Sequence, residues 1–270
     1  MPVPEKAKYS RGNTLPQENP VDSPGPLRVT FGSPLNQDAA LLGDFILALP
    51  VLVFSLVAHE YAHGYAALKQ GDDTALQQGR LTLNPLPHID PWLTVIMPAL
   101  LWFGSKGAFT FGGAKPVEVR PDRYRNYRRG DIIVSLAGVA TNLVIAIACT
   151  LLFIVIGLIA RPITGAEPVA GVVQRMLAWG VWLNLMLAFF NLLPIPPLDG
   201  SHVLYHLLPA RLRHGYRKFQ RFGFLPLLAL MLFFPALLQR LLIPAYAGMA
   251  LFIRLASPYA VGNGWNIFQA

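Results

Sequence analysis

His59, Glu60 and His63 stand in the order H-E-x-x-H. In a helix, positions i and i+4 lie on one face, so the two imidazoles point the same way. Two His so placed can hold a zinc ion, with the intervening Glu as general base on a metal-activated water. The surroundings sharpen the reading. Residues 45–68, FILALPVLVFSLVAHEYAHGYAAL, are almost wholly apolar. They are long enough to cross a hydrocarbon core of ~30 Å at ~1.5 Å per residue. Ionisable groups at that depth are costly unless paired or ligated. Three of them within one helical turn call for a common partner, and a metal ion is the simplest. The plainer alternative is a structural polar cluster bonded to neighbouring helices.

A catalytic zinc takes three protein ligands and keeps one position for water. The candidate for the third is Asp199, in N-L-L-P-I-P-P-L-D-G at 191–200. It follows directly on an apolar helix. The prolines break that helix and allow an unwound segment lining a polar cavity, and Gly200 permits close backbone approach. The alternative for this stretch is a helix-terminating turn at the surface. Asn142 lies inside another apolar run, in S-L-A-G-V-A-T-N at 135–142. It is either a hydrogen-bonding link between helices or a donor to a substrate carbonyl or oxyanion beside the metal. His88, in a polar loop, is either a turn residue or a group near the metal or substrate path. His202 and His206 form a second i, i+4 pair, readable as another metal site or as one face of a short amphipathic helix. Asn191 caps or orients the turn before Asp199.

The elements that must position these residues read as a membrane protein. Of 270 residues 54% are hydrophobic and only 13% charged, too apolar for an average soluble domain. The net charge of +8 does not point to nucleic acid, because the basic residues cluster beside apolar segments as in cytoplasmic loops. The single Cys149 excludes a disulfide framework. Residues 1–38, with seven prolines and mixed charges, read as a disordered tail without a cleavable signal. Residues 39–256 read as one membrane-embedded domain and 257–270 as a C-terminal tail. Spans are expected at about 40–68, 132–160 and 172–193. Asp44 sits at the entrance of the first, at headgroup level. Residues 92–104, interrupted by Pro98, are short for a span and read as re-entrant. Residues 107–119 are expected to form a small β-hairpin able to pair with an extended substrate. Residues 224–252 carry three prolines and read as a kinked span or a re-entrant pair. The basic stretches 115–130 and 209–222 should face the cytoplasm, which puts the His pair and Asp199 near that face. The fold class is thus an all-α polytopic membrane protein, with a core of three transmembrane helices, further apolar segments and a small β-hairpin or re-entrant element.

Taken together, H-E-Y-A-H at 59–63, A-G-V-A-T-N at 137–142 and N-L-L-P-I-P-P-L-D-G at 191–200 resemble the site-2 protease family of intramembrane zinc metalloproteases. The stretch G-R-L-T-L-N-P-L-P-H-I-D-P at 79–91 is similar to the compact bacterial branch. The likeness spans about 45–205. It implies one zinc per chain held by His59, His63 and Asp199, Glu60 as catalytic base, and Asn142 helping to hold the substrate. One departure is visible: the family often has Pro after A-G, where this chain has Val139. The short link at 161–171 leaves no room for a PDZ insert between the spans, and no nucleotide-sensing domain is expected after them.

The expected activity is hydrolysis of peptide bonds within or near transmembrane segments, in a bacterial inner membrane, with the active site near the cytoplasmic face. The expected partners are a membrane-protein substrate and the lipid bilayer, with no nucleic acid. The rival reading is an ion or metal transporter using the same His, Glu and Asp groups. It predicts internal repeats, and none is evident.

Overall fold

The computed structural model describes residues 34–107, 110, 112–262, 265 and 267, with side chains from residue 38 onward. The proline-rich stretch before residue 34 lies outside these, as do 108, 109 and 111 of the expected hairpin.

Among the described residues, three helices are long and apolar enough to cross a membrane: α1 (Pro34–Gln70), α4 (Tyr127–Ala160) and α5 (Glu167–Asn191). α4 and α5 form an antiparallel pair joined by the short turn after Ala160, and α1 packs against both. Small residues let the backbones approach. A Cβ on Gly180 of α5 would come within 2.7 Å of Cys149 Sγ on α4, so only glycine fits there. Side-chain hydrogen bonds also link helices inside the bundle. Asn184 Nδ2 donates to Ser55 Oγ at 2.8 Å and to the Gly180 carbonyl at 2.8 Å. Outward on α4, Val144, Ile147, Leu151, Leu152, Val155 and Leu158 are exposed. A continuous apolar face of this kind suits lipid contact.

Asp44, at the entrance of α1, is held by protein groups. It is 5% exposed and takes Arg175 Nε at 2.5 Å, a second guanidinium nitrogen at 2.8 Å and Trp179 Nε1 at 3.2 Å. A bidentate guanidinium, rather than water, neutralises it.

Between α1 and α4 the chain makes a short α2 (Thr74–Gln77), then an apolar helix that starts with wide π-type turns at Pro91–Ile96 and continues as α3 (Met97–Gly104). Asp90 Oδ1 accepts from the backbone of Trp92 and Leu93 and caps its start. The combined helix is shorter than a full span. The expected hairpin is corrected: among the described residues there is no strand. Residues 112–120 run as a single strap whose donors go elsewhere. Gly113 N–H bonds the Leu93 carbonyl at 2.9 Å and Lys115 N–H the His88 carbonyl at 2.8 Å. Val117 N–H bonds Glu60 Oε2 at 2.7 Å and Arg120 N–H bonds Asp72 Oδ2 at 2.6 Å. With these partners taken and Pro116 lacking a donor, no ladder forms.

After α5 come α6 (Asp199–Leu207), α7 (Ala210–Gln220), α8 (Leu225–Phe233), α9 (Pro235–Leu241) and α10 (Ile243–Ala256). α9 and α10 meet at a bend of 52°. α10 packs on α5, and Phe153, Phe252 and Trp265 meet edge to face beneath it. The segment after Ala256, read from the sequence as a tail, thus adds Trp265 and Ile267 to the core.

Candidate metal centre and active site

α1 presents His59 and His63 on one face, with the ring planes nearly perpendicular. α5 stops at Asn191, and successive turns over 192–198 lead to Asp199, the first residue of α6. Gly200 makes this path possible, because any Cβ there would collide with the Leu192 carbonyl. The three side chains converge. His59 Nε2 and His63 Nε2 are 3.0 Å apart, and Asp199 Oδ2 lies 3.2 Å from the first and 3.3 Å from the second. A tetrahedral zinc with bonds of ~2.0–2.1 Å has ligand–ligand edges of roughly 3.3–3.4 Å. The observed triangle is close to one face of such a tetrahedron. His59 is buried, while His63 and Asp199 remain partly open.

The protonation pattern is set from behind. His63 Nδ1 lies 2.7 Å from the Val134 carbonyl. A carbonyl only accepts, so Nδ1 carries a proton, and in the neutral ring this leaves Nε2 a lone pair free to bind a metal. His59 Nδ1 donates in the same way to Asn142 Oδ1 at 3.0 Å. Two bare imidazole nitrogens and a carboxylate oxygen therefore face one point. Asp199 Oδ2 has no hydrogen-bond donor of its own. Three acceptors at this separation repel unless a cation sits among them, and hydrogen bonding through the far ring nitrogen is how metal-binding imidazoles are oriented. The donor set, its spacing and its tautomers all fit a zinc ion.

A sequence profile of peptidase family M50 matches residues 46–234. The chain belongs to peptidase family M50. It is 37% identical over 186 residues to "Putative zinc metalloprotease YwhC" of Bacillus subtilis, covering 67% of this chain and 80% of that protein. It is 33% identical over 199 residues to "Putative zinc metalloprotease Rip2" of Mycolicibacterium smegmatis, covering 73% and 70%. The same identity holds over 178 residues with Rip2 of Mycobacterium tuberculosis, covering 64% and 62%. No solved structure matches it significantly.

The structure also places the remaining sequence candidates. Glu60 lies beside the triad on α1, and its carboxylate accepts the Val117 N–H of the strap at 2.7 Å. Asn142 is fully buried against His59, and its Nδ2 has no partner. His88 is not brought to the triad. It is fully buried under the loop, with Nε2 bonded to the Thr82 carbonyl at 3.1 Å. Burial holds its imidazole below the ordinary range. Asn191 donates to the Leu187 carbonyl of its own helix at 2.9 Å.

Four residues that sequence reasoning did not single out shape the site. Gly138 is the closest. A Cβ on it would lie 2.5–2.6 Å from ring atoms of both His59 and His63, so the A-G of A-G-V-A-T-N makes room for the imidazoles. Asp131, at the start of α4, bonds His206 Nε2 at 2.7 Å and lies 3.5 Å from His202 Nδ1. The His202–His206 pair thus ties α6, and Asp199 with it, to α4. Asp131 raises the His202 imidazole, against the effect of burial. The only His, Cys, Asp and Glu grouping with metal-like spacing among the described residues is His59, His63 and Asp199. Arg80 fixes the strap through the carbonyls of Pro87, Lys115 and Pro116. Asp72, wholly buried, ties the end of α1 to the strap through Thr74 and Arg120. Burial alone would push its carboxyl up, but these hydrogen bonds hold it below the usual range. The visible signal for Asp131 was an acid beside an apolar span, and for Gly138 a glycine one turn before Asn142.

Proposed function

We propose that this M50 peptidase is an intramembrane zinc metalloprotease that hydrolyses peptide bonds within or near the transmembrane segments of other membrane proteins. The observation that carries the reading is the convergence of three bare acceptor atoms, His59 Nε2, His63 Nε2 and Asp199 Oδ2, inside an apolar helical bundle. His59, His63 and Asp199 would hold a zinc ion, which would supply a water of lowered pKa (~7) and Lewis acidity toward a peptide carbonyl. Glu60 takes the proton from the attacking water at its carboxylate and later delivers it to the leaving amine. Asn142 holds the His59 ring, and its unpartnered Nδ2 is a donor for the substrate carbonyl or the developing oxyanion. Asp131, through His206, holds α6 so that Asp199 faces the two His.

The substrate we infer is a single-span membrane protein. A helix has its backbone groups internally bonded, so it must unwind locally to enter the site, and helix-weakening residues near the cut favour this. Basic stretches flanking the spans support a site near the cytoplasmic face of a bacterial inner membrane. The test is cleavage of reconstituted single-span substrates in vesicles, wild type beside Glu60→Gln. Loss of cleavage with zinc content retained supports the mechanism. Undiminished cleavage by Glu60→Gln contradicts it.

A further inference from the structure

We infer that α7 is an interfacial helix whose outer stripe binds the phosphate groups of anionic phospholipid headgroups. The segment Ala210–Gln220, ARLRHGYRKFQ, has no buried residue, and with Arg221 it carries five Lys or Arg and no acid. At ~100° per residue, three arcs emerge around it. Arg213 and Tyr216 face the protein. Arg213 donates to the Leu208 carbonyl at 2.9 Å, and Tyr216 hydroxyl donates to the Pro194 carbonyl at 3.1 Å. Arg217 flanks them, bonded to Tyr205 hydroxyl with its guanidinium over that ring. Arg211, His214, Lys218 and Arg221 fall within an arc of about 80° on another side. None of these four has an ion pair or hydrogen bond among the described residues. The third arc carries Leu212 and Phe219, both exposed.

An unpartnered cationic stripe beside an unpartnered apolar stripe is what a helix lying in the membrane interface presents. The neighbouring chain supports the same placement. Beyond Arg221 the chain continues through the exposed Phe222, Phe224 and Leu225 into the wholly apolar α8, LPLLALMLF. The helix therefore lies at the border of the lipid-facing surface. Leu212 and Phe219 enter the acyl boundary, and the cations lie at phosphate level. Charge complementarity selects anionic over zwitterionic headgroups. The inner face of α7 touches Pro194 and α6, so headgroup binding also braces the turn that leads to Asp199. The proposal rests on α7 and the apolar chain that follows it, and holds whatever reaction the site performs.

The test is native mass spectrometry of the detergent-solubilised full chain, titrated with phosphatidylglycerol or phosphatidylcholine. The comparison variant is Arg211→Gln/Lys218→Gln/Arg221→Gln, which leaves the contacts of Arg213, Tyr216 and Arg217 in place. The wild type is expected to prefer phosphatidylglycerol by about tenfold or more. The variant is expected to lose that preference while keeping its zinc content and thermal unfolding midpoint. Equal lipid preference in the two proteins would overturn the proposal. So would displacement of phosphatidylglycerol by free inorganic phosphate or a short DNA oligonucleotide.

Discussion

Two charged clusters sit inside this helical bundle, and they are built on opposite principles. Asp44, Arg175 and Trp179 form a closed set in which a carboxylate meets three donors at 2.5–3.2 Å. His59, His63 and Asp199 form an open set in which three acceptors meet one another at 3.0–3.3 Å. The first needs nothing further. The second is held in place by groups behind it, Val134, Asn142 and the Asp131–His206 pair. In an apolar medium an unsatisfied set of this kind survives where something binds it. The contrast separates a residue that locks α1 to α5 from residues that wait for a ligand.

Substitutions break the two clusters in different readouts. The largest effect is expected at Glu60. Glu60→Gln should lower peptide cleavage on the order of 10²–10⁴-fold, measured as the initial rate in vesicles, with zinc content unchanged. Asp44→Ala removes the carboxylate that accepts from Arg175 and Trp179. It should destabilise the fold by roughly 3–5 kcal/mol in detergent unfolding, yet the protein that remains folded should still hold zinc. Gly138→Ala drives a methyl into both imidazoles. Zinc affinity should fall by about 10–100-fold in a chelator competition, the range seen when imidazole orientation is disturbed.

These expectations show what the sequence exposed. His59, Glu60 and His63 were legible because helical spacing and apolar context are both local properties. The helix break before Asp199 was legible from its prolines. The three spans followed from hydropathy, and the short 92–104 segment from its length. What was not legible depended on contacts distant in sequence. Asp44 shows no partner in its own stretch of sequence, because α5 brings Arg175 beside it only in the fold. Asp131 is only an acid beside an apolar span until α6 returns to it. The strap at 112–120 has the glycine and β-prone content of a hairpin. Its donors are claimed by Glu60, Asp72 and two carbonyls from elsewhere in the chain, which no local pattern announces.

Asp72 gives the smallest effect and a pH signature. Its folded carboxyl is held below the ordinary value by Thr74 and Arg120. The stability it adds is therefore present above the unfolded pKa of ~3.9 and lost as pH falls through the lower folded value. Asp72→Asn should cost about 1–3 kcal/mol at neutral pH and flatten the acid limb of the unfolding curve, with the metal content untouched.

The most direct test of the open cluster is the zinc content of the purified full chain in detergent, measured by elemental mass spectrometry for wild type, Glu60→Gln and Asp199→Ala. The account predicts one zinc per chain in the first two and its loss or great weakening in the third. Zinc retained in full by Asp199→Ala, or a wild type that takes up none on reconstitution, would contradict it.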